Sequence, residues 1–370
     1  MSELANTRNG ARNLRWNLLA TASSIALVGM FGANDAGAAD QDTERPTVWI
    51  ELGGQLEHPI GQDMDFAPAF LANNADAPVF KPISPLQAQK APYFFDHGLE
   101  GKLTFEPEGS DWIFSAAIRY GRSNRNRHVH QQSFAPLSLP TLPNAKNYEA
   151  NFADTVAKEE GSSAIVDFSV GKDVGLGVFG EHGTSVLNAG VRFAQFSSNT
   201  DTVIRARPNV KVNGLFARTF HNYYLDGAAD RSFVGVGPSL SWNASAALAG
   251  HPDTTEAVLD FGVNGAVLFG RQKTKAHHQT TGVYHRKYTF FSARYVQTYS
   301  KNGHRTNDRS IITPNIGGFV AISVRRSVAA VNFGYRADFF FGAVDNGIVA
   351  RKSGMLGFSG PYATISVGFP

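Results

Sequence analysis

From residue 47 onward, apolar and polar residues alternate with a period of two, the spacing of β-strands that present one greasy and one polar face. Val48, Ile50, Leu52, Gly54 and Leu56 alternate with Trp49, Glu51, Gly53, Gln55 and Glu57. Leu99, Leu103 and Phe105 then oppose Glu100, Lys102 and Thr104, and Trp112, Phe114, Ala116, Ile118 and Tyr120 oppose Ser115, Ala117, Arg119 and Gly121. The same reading predicts strands near 164–171, 187–193, 234–243, 259–270, 312–324 and 329–341. A last strand, 357–370, places Pro361, Ala363, Ile365, Val367 and Phe369 on one face and Gly360, Tyr362, Thr364, Ser366 and Gly368 on the other.

The connections between these ten strands alternate in length. After odd strands come long polar or Pro-rich stretches: 58–96, 122–161, 199–230, 271–309 and 344–356. After even strands come tight turns, such as Pro107-Glu108-Gly109-Ser110-Asp111 and Arg325-Arg326-Ser327. An up-and-down transmembrane β-barrel produces this pattern, with short periplasmic turns, long extracellular loops and its last strand sealed against its first. Ten strands is the count, within a range of eight to twelve. Apolar patches near Phe216–Leu225 and Tyr288–Val296 are the places where two more could be added. The competing fold is a soluble β-sandwich, whose strands are shorter and need no aromatic residues at both ends.

The first 38 residues read as a cleaved secretory leader. Arg8, Arg12 and Arg15 precede a mostly apolar run, Leu18–Phe31, and Ala36-Gly37-Ala38 forms a small-residue cleavage site. Residues 39–370 would then be a single barrel domain, exported through the periplasm to the outer membrane of a Gram-negative cell. No later run is apolar and long enough for a membrane helix. Composition agrees: 37 Gly and 28 Phe accompany a mean hydropathy of only −0.20, which suits strands greasy on one face alone. The formal net charge of +3 falls to +2 without the leader, because three Arg leave together with Glu3 and Asp35. So small and scattered an excess points to no nucleic-acid partner. There is no Cys, so disulfide and thiolate chemistry is excluded.

If the greasy face meets lipid, the other face lines a lumen, and its candidates are Glu51, Glu57, Glu100, Lys102, Arg119, Asp167, Arg192, Asp260, Arg336 and Asp338. Asp338 lies two residues from Arg336 and shares its face. These charges fit either a constriction that passes small hydrophilic solutes or ions, or an ion-pair network filling a narrow barrel. The many lumen-side glycines argue for room. The leading expectation is therefore a porin-like passive channel, with a structural or adhesive surface barrel as the alternative.

Other chemistry is weakly signalled. A barrel protease or phospholipase would need paired acids and an Asp/His pair at the rim; His58, His97, His221, His285, Asp63, Asp65, Asp96 and Asp226 are available, but no spacing joins a base to a partner. No catalytic residue is assigned. His128-Val129-His130 and His277-His278 lack a nearby carboxylate or Cys to complete a metal site, so no metal and no cofactor is expected. Arg122, Arg125 and Arg127 could meet lipopolysaccharide phosphates.

Six short phrases occur in order: VDFSVGKDVGLG (166–177), GVRFAQF (190–196), FVGVGPSL (233–240), LFGRQK (268–273), GYRAD (334–338) and GFSGPY (357–362). Together they make residues 160–370 resemble the Legionella-type major outer membrane protein family. That resemblance implies a porin-like outer-membrane barrel and supplies no catalytic residues. It also implies recognition by the barrel-assembly machinery through a terminal aromatic strand, where Phe369 is here followed by Pro370. Outer-membrane lipid and lipopolysaccharide are the other expected partners, and homo-oligomerisation is left open.

Overall fold

The computed structural model describes residues 47–61, 96–133, 151–175, 183–207, 211–212, 216–251, 254–288, 294–347 and 351–369. The expected leader, residues 39–46 and Pro370 lie outside them. The described elements are all strands: β1 (Val48–Ile60), β2 (Asp96–Phe105), β3 (Trp112–Ser133), β4 (Asn151–Asp173), β5 (Thr184–Arg207), β6 (Lys211–Val212), β7 (Phe216–His251), β8 (Thr255–Tyr288), β9 (Arg294–Arg326), β10 (Ala329–Asp345) and β11 (Ser353–Phe369). Each long strand pairs antiparallel with the next, β5 with β7, and β1 pairs with β11 from Val48↔Phe369 to Ile60↔Gly357. Ten strands therefore close into an up-and-down barrel, and β6 is a two-residue strand on the end of β7. The seam is sealed by the expected first and last strands.

Alternation fixes which way the wall faces. Ile50, Leu52, Leu56, Leu103, Phe114, Ile118, Phe168, Phe193, Val236, Val263, Phe269, Ile316, Val320, Phe333 and Ile365 all point outward and are exposed. In water such a band would be strongly unfavourable; against hydrocarbon it is the solvated face, so the barrel is transmembrane. Phe105, Trp112 and Phe369 mark its edge at the short-turn end; Lys172 lies 5.8 Å over the Trp112 ring.

At the other end, here called the outer end, the described parts of the long stretches are mostly strand. Within 122–161 these are the paired upper halves of β3 and β4, from Arg122↔Ser162 to Ser133↔Asn151. The described parts of 199–230 and 271–309 are likewise continuations of β5, β7, β8 and β9, together with the short β6. The described residues of the patches at 216–225 and 288–296 thus lengthen existing strands and add none to the barrel. β1 also runs through Pro59, which the proline content had assigned to a loop. β7 is 36 residues long, whereas a tilted crossing takes about 9–11, so the wall continues well beyond the apolar band.

The wall is not continued equally by all strands. β10 follows β9 only as far as Phe340↔Asn315, and β9 then continues outward with β8 as its described partner. The next β9 residue, Pro314, has no N–H to offer a neighbour, which suits the position where β10 departs. β10 itself slips its register against β11 between Phe341 and Val344, a bulge containing Gly342 at φ 77°.

Candidate functional site: a filled lumen

Seven of the ten candidate residues meet in the middle of the barrel. Arg119 on β3 donates to Asp338 Oδ2 on β10 at 2.5 Å and lies 4.0 Å from Asp167 on β4. Arg192 on β5 grips Asp167 with both ends of its guanidinium, at 2.6 and 3.0 Å, and comes within 3.9 Å of Asp338 Oδ1. Arg336 pairs with Glu100, donates to Gln55 at 3.4 Å and lies 4.3 Å over the Tyr362 ring. Glu57 completes the group, with its carboxylate lying over Gly98 and Gly121. The forked Arg–carboxylate geometry supplies charge-assisted hydrogen bonds that offset part of the cost of burying these ions. Asp338 is the hub, and it is 1% exposed.

The lumen glycines do not leave an opening. A Cβ on Gly317 would overlap Asp338 Oδ1, and one on Gly121 would overlap Glu57 Oε2. The room they provide is occupied by the inward charges themselves. This corrects the argument that glycine content favours an open pore.

The remaining three candidates lie apart, towards the short-turn end. Glu51 is half-buried, with Lys102 opposite it in the β1–β2 register and exposed. Asp260 is held by Arg325 at 2.5 Å and by the Ser323 hydroxyl.

Outward of the charge lattice lies an apolar plug. Phe196, Phe233, Phe340 and Phe358 pack with Leu268, Ile165, Ala194, Ala266, Ala343, Val344 and Leu356. The Phe196 ring centroid is 4.6 Å from that of Phe340 and 5.6 Å from that of Phe358. A cavity of about 10 Å³, no larger than one water, remains between the plug and Ser162, Ser197, Ser198, Arg231 and Ser232.

A third layer closes the outer side. Beyond the bulge, β10 turns into the lumen and is held from several walls. Gln272 on β8 donates to the Gly342 and Ala343 carbonyls at 3.1 and 3.0 Å. Arg231 on β7 donates to Asn346 Oδ1 at 2.9 Å, and Asn346 Nδ2 donates to the Gly61 carbonyl beside β1 at 2.9 Å. Arg305 on β9 donates to Asp345 at 2.7 Å. The Asp345 carboxylate also accepts from the backbone N–H groups of Gly347 and Lys352, at 3.1 and 2.9 Å.

Sequence reading missed these two outer layers, although signals existed. Phe339-Phe340-Phe341 is a run of three aromatics, so period two must turn the middle one inward. Phe196 and Phe233 share the parity of Arg192 and Gly235, on the polar side of their strands.

The other candidates disperse. Asp96 is bound to Arg125 at 2.6 Å, which also withdraws Arg125 from the proposed phosphate cluster; Arg122 is exposed. Asp63, Asp65 and the side chains of Arg127, His130, His221 and His285 lie outside the described residues. His128 is bonded to Asp154. His277 is exposed on the outer face while His278 is buried on the inner one, so this pair cannot share a ligand. Among the described residues no group of three or more His, Asp or Glu is arranged to hold a metal ion.

The fold and lumen define a closed, ten-stranded, antiparallel transmembrane β-barrel. No protein-family model matches the chain, and no curated protein does. Among solved structures, the Ralstonia pickettii toluene transporter TbuX aligns over 88% of this chain and 90% of its own, with 11% identity and a TM-score of 0.25. The transport unit of the autotransporter AIDA-I from Escherichia coli aligns over 94% and 97%, with 10% identity and a TM-score of 0.24. A bacterial polysaccharide outer membrane secretin aligns over 88% and 100%, with 9% identity and a TM-score of 0.19. Scores this low carry nothing about function.

Proposed function

We propose that this chain is an outer-membrane barrel of the porin-like kind, providing a path for small hydrophilic solutes or ions that is closed in the state described above. The observation that carries this reading is the charge lattice. A barrel that serves only as a plug is filled at least as stably by hydrophobic side chains, because burying ions costs several kcal/mol each before pairing. Three Arg and four carboxylates in the lumen are what a hydrophilic path retains. The apolar outer band, the leader-like N-terminus and the resemblance to the Legionella-type major outer membrane protein family support the outer membrane as its location and that family as its kin. Reconstitution into planar bilayers tests the reading. Discrete conductance steps are expected at low frequency, and their complete absence from folded protein, together with no solute flux into liposomes, sinks it.

A second reading is favoured by the height of the wall. Strands of up to 36 residues build a surface beyond the membrane that a channel does not require. In that reading the barrel is an anchor and the extension binds an envelope or host partner. Joining Thr274 to Asn307, which face each other in the β8–β9 register, by a two-residue turn removes the outer part of that hairpin. Loss of adhesion with unchanged conductance supports surface binding; unchanged adhesion counts against it.

A further inference from the structure

We propose that the tip of the β10–β11 hairpin, Phe341–Asn346 paired with Ser353–Leu356, is the movable gate of the barrel. This rests on the reading of the lumen as a closed path and adds to it which element opens. Three observations single the tip out.

First, among the described residues the tip has little backbone attachment. From Phe341 outward, β10 has left β9, and β11 is its described strand partner. The β1–β11 ladder also ends at Ile60↔Gly357, just before the tip. A register slip at Phe341/Val344 and a positive φ at Gly342 stand at its base, where a hinge would be.

Second, the tip supplies part of the obstruction. Ala343, Val344 and Leu356 belong to the apolar plug and come from the tip itself. Phe340, immediately before it, is fully buried against Phe196 and Phe358. Moving one hairpin end uncovers the aromatic layer and loosens the strand that bears Asp338, the hub of the charge lattice.

Third, the tip is held to the far walls by side chains rather than by a ladder. Arg231, Gln272 and Arg305 reach it from β7, β8 and β9, and Arg309 supports Gln272 at 3.0 Å. The anchorage is incomplete: Arg305 Nε and Thr274 Oγ1 are buried without a hydrogen-bond partner. Polar side-chain contacts of this kind are individually modest, so a few of them set a closed state that can be left at thermal cost.

The chain contains no Cys, which makes a locking experiment clean. Single-channel recording compares wild type, the double variant Gln272→Ala with Arg305→Ala, and a Gln272→Cys/Ala343→Cys variant joined by a short bis-thiol linker. Heat-modifiable gel mobility first establishes that each barrel is folded. Release is expected to raise open probability at least tenfold, and linking is expected to abolish opening until the linker is cleaved. An Arg119→Gln/Arg192→Gln variant separates the failures. If it conducts while the released-tip protein stays closed, the tip is not the gate and the path reading stands. If neither conducts, the path reading itself falls. A linked protein that opens as often as wild type also overturns the gate.

Discussion

Arg119 and Asp338 stand 219 positions apart in the chain and meet at 2.5 Å across the centre of the barrel. Their contact ties the N-terminal and C-terminal walls together through the lumen rather than around it. Arg119 is the side chain that also approaches Asp167, so one guanidinium joins β3, β4 and β10. Asp338 is buried and Arg119 only partly exposed, which makes the pair a sensitive point.

Asp338→Asn keeps the shape and removes the charge, leaving Arg119 and Arg192 facing each other with less compensation. The expected loss is about 3–5 kcal/mol, the cost of breaking a buried pair on one side. Urea-induced unfolding in lipid vesicles measures it. The double variant with Arg119→Gln should lose less than the sum of the single losses. Strict additivity would show that the two residues do not interact.

Gly317→Ala tests whether the lumen is packed to contact. Its Cβ would overlap Asp338 Oδ1, which the two arginines prevent from turning aside, so a loss of about 1–3 kcal/mol is expected. Gly265→Ala, whose nearest neighbour is the Asn315 carbonyl at 3.6 Å, provides the contrast and should cost far less. Equal effects in the same unfolding assay would mean that packing at Gly317 is loose.

Asp345 anchors the hairpin tip through the charge-assisted bond from Arg305. Asp345→Asn removes the charge and weakens that bond, so the outer hairpins of the reconstituted variant should be cleaved several-fold faster than wild type by a neutral protease at pH 6. A variant as resistant as wild type at pH 6 would remove Asp345 from the account.

Phe369→Ala separates assembly from stability. Phe369 is exposed on the lipid side, and its carbonyl accepts from the Thr47 N–H at 2.8 Å, a bond that survives the substitution. Refolding of the purified variant into detergent should stay close to wild type, while the amount of heat-modifiable barrel in cell membranes falls several-fold. Normal amounts in cells would show that Phe369 is not read during assembly.

Much of the wall was legible because lipid enforces alternation. Arg336 and Asp338 could be placed on the same inner face from their spacing alone, and Val48–Leu56 could be matched to the last strand. Legibility failed where the outer environment becomes water. On β5 above the apolar band, inward Thr200 and Thr202 alternate with Asn199 and Asp201, so both faces are polar and nothing marks a strand. The inner partners failed for another reason. No local spacing connects Arg192 with Asn264 and Asn315, which it contacts only because three distant strands curve towards each other. The hairpin tip turns inward at a single bulge, which period-two reasoning reads as an ordinary strand ending in a loop.

The pairing of Val48 with Phe369 has a consequence for how the protein is made. The two strands of the seam are the first and last of the barrel, so until β11 has been made β1 is an open edge with hydrogen-bonding groups unsatisfied and a greasy face exposed. No fragment that begins at β1 and stops before β11 closes by the same register. The wall therefore cannot be sealed strand by strand as it grows; closure waits for the last of its ten strands.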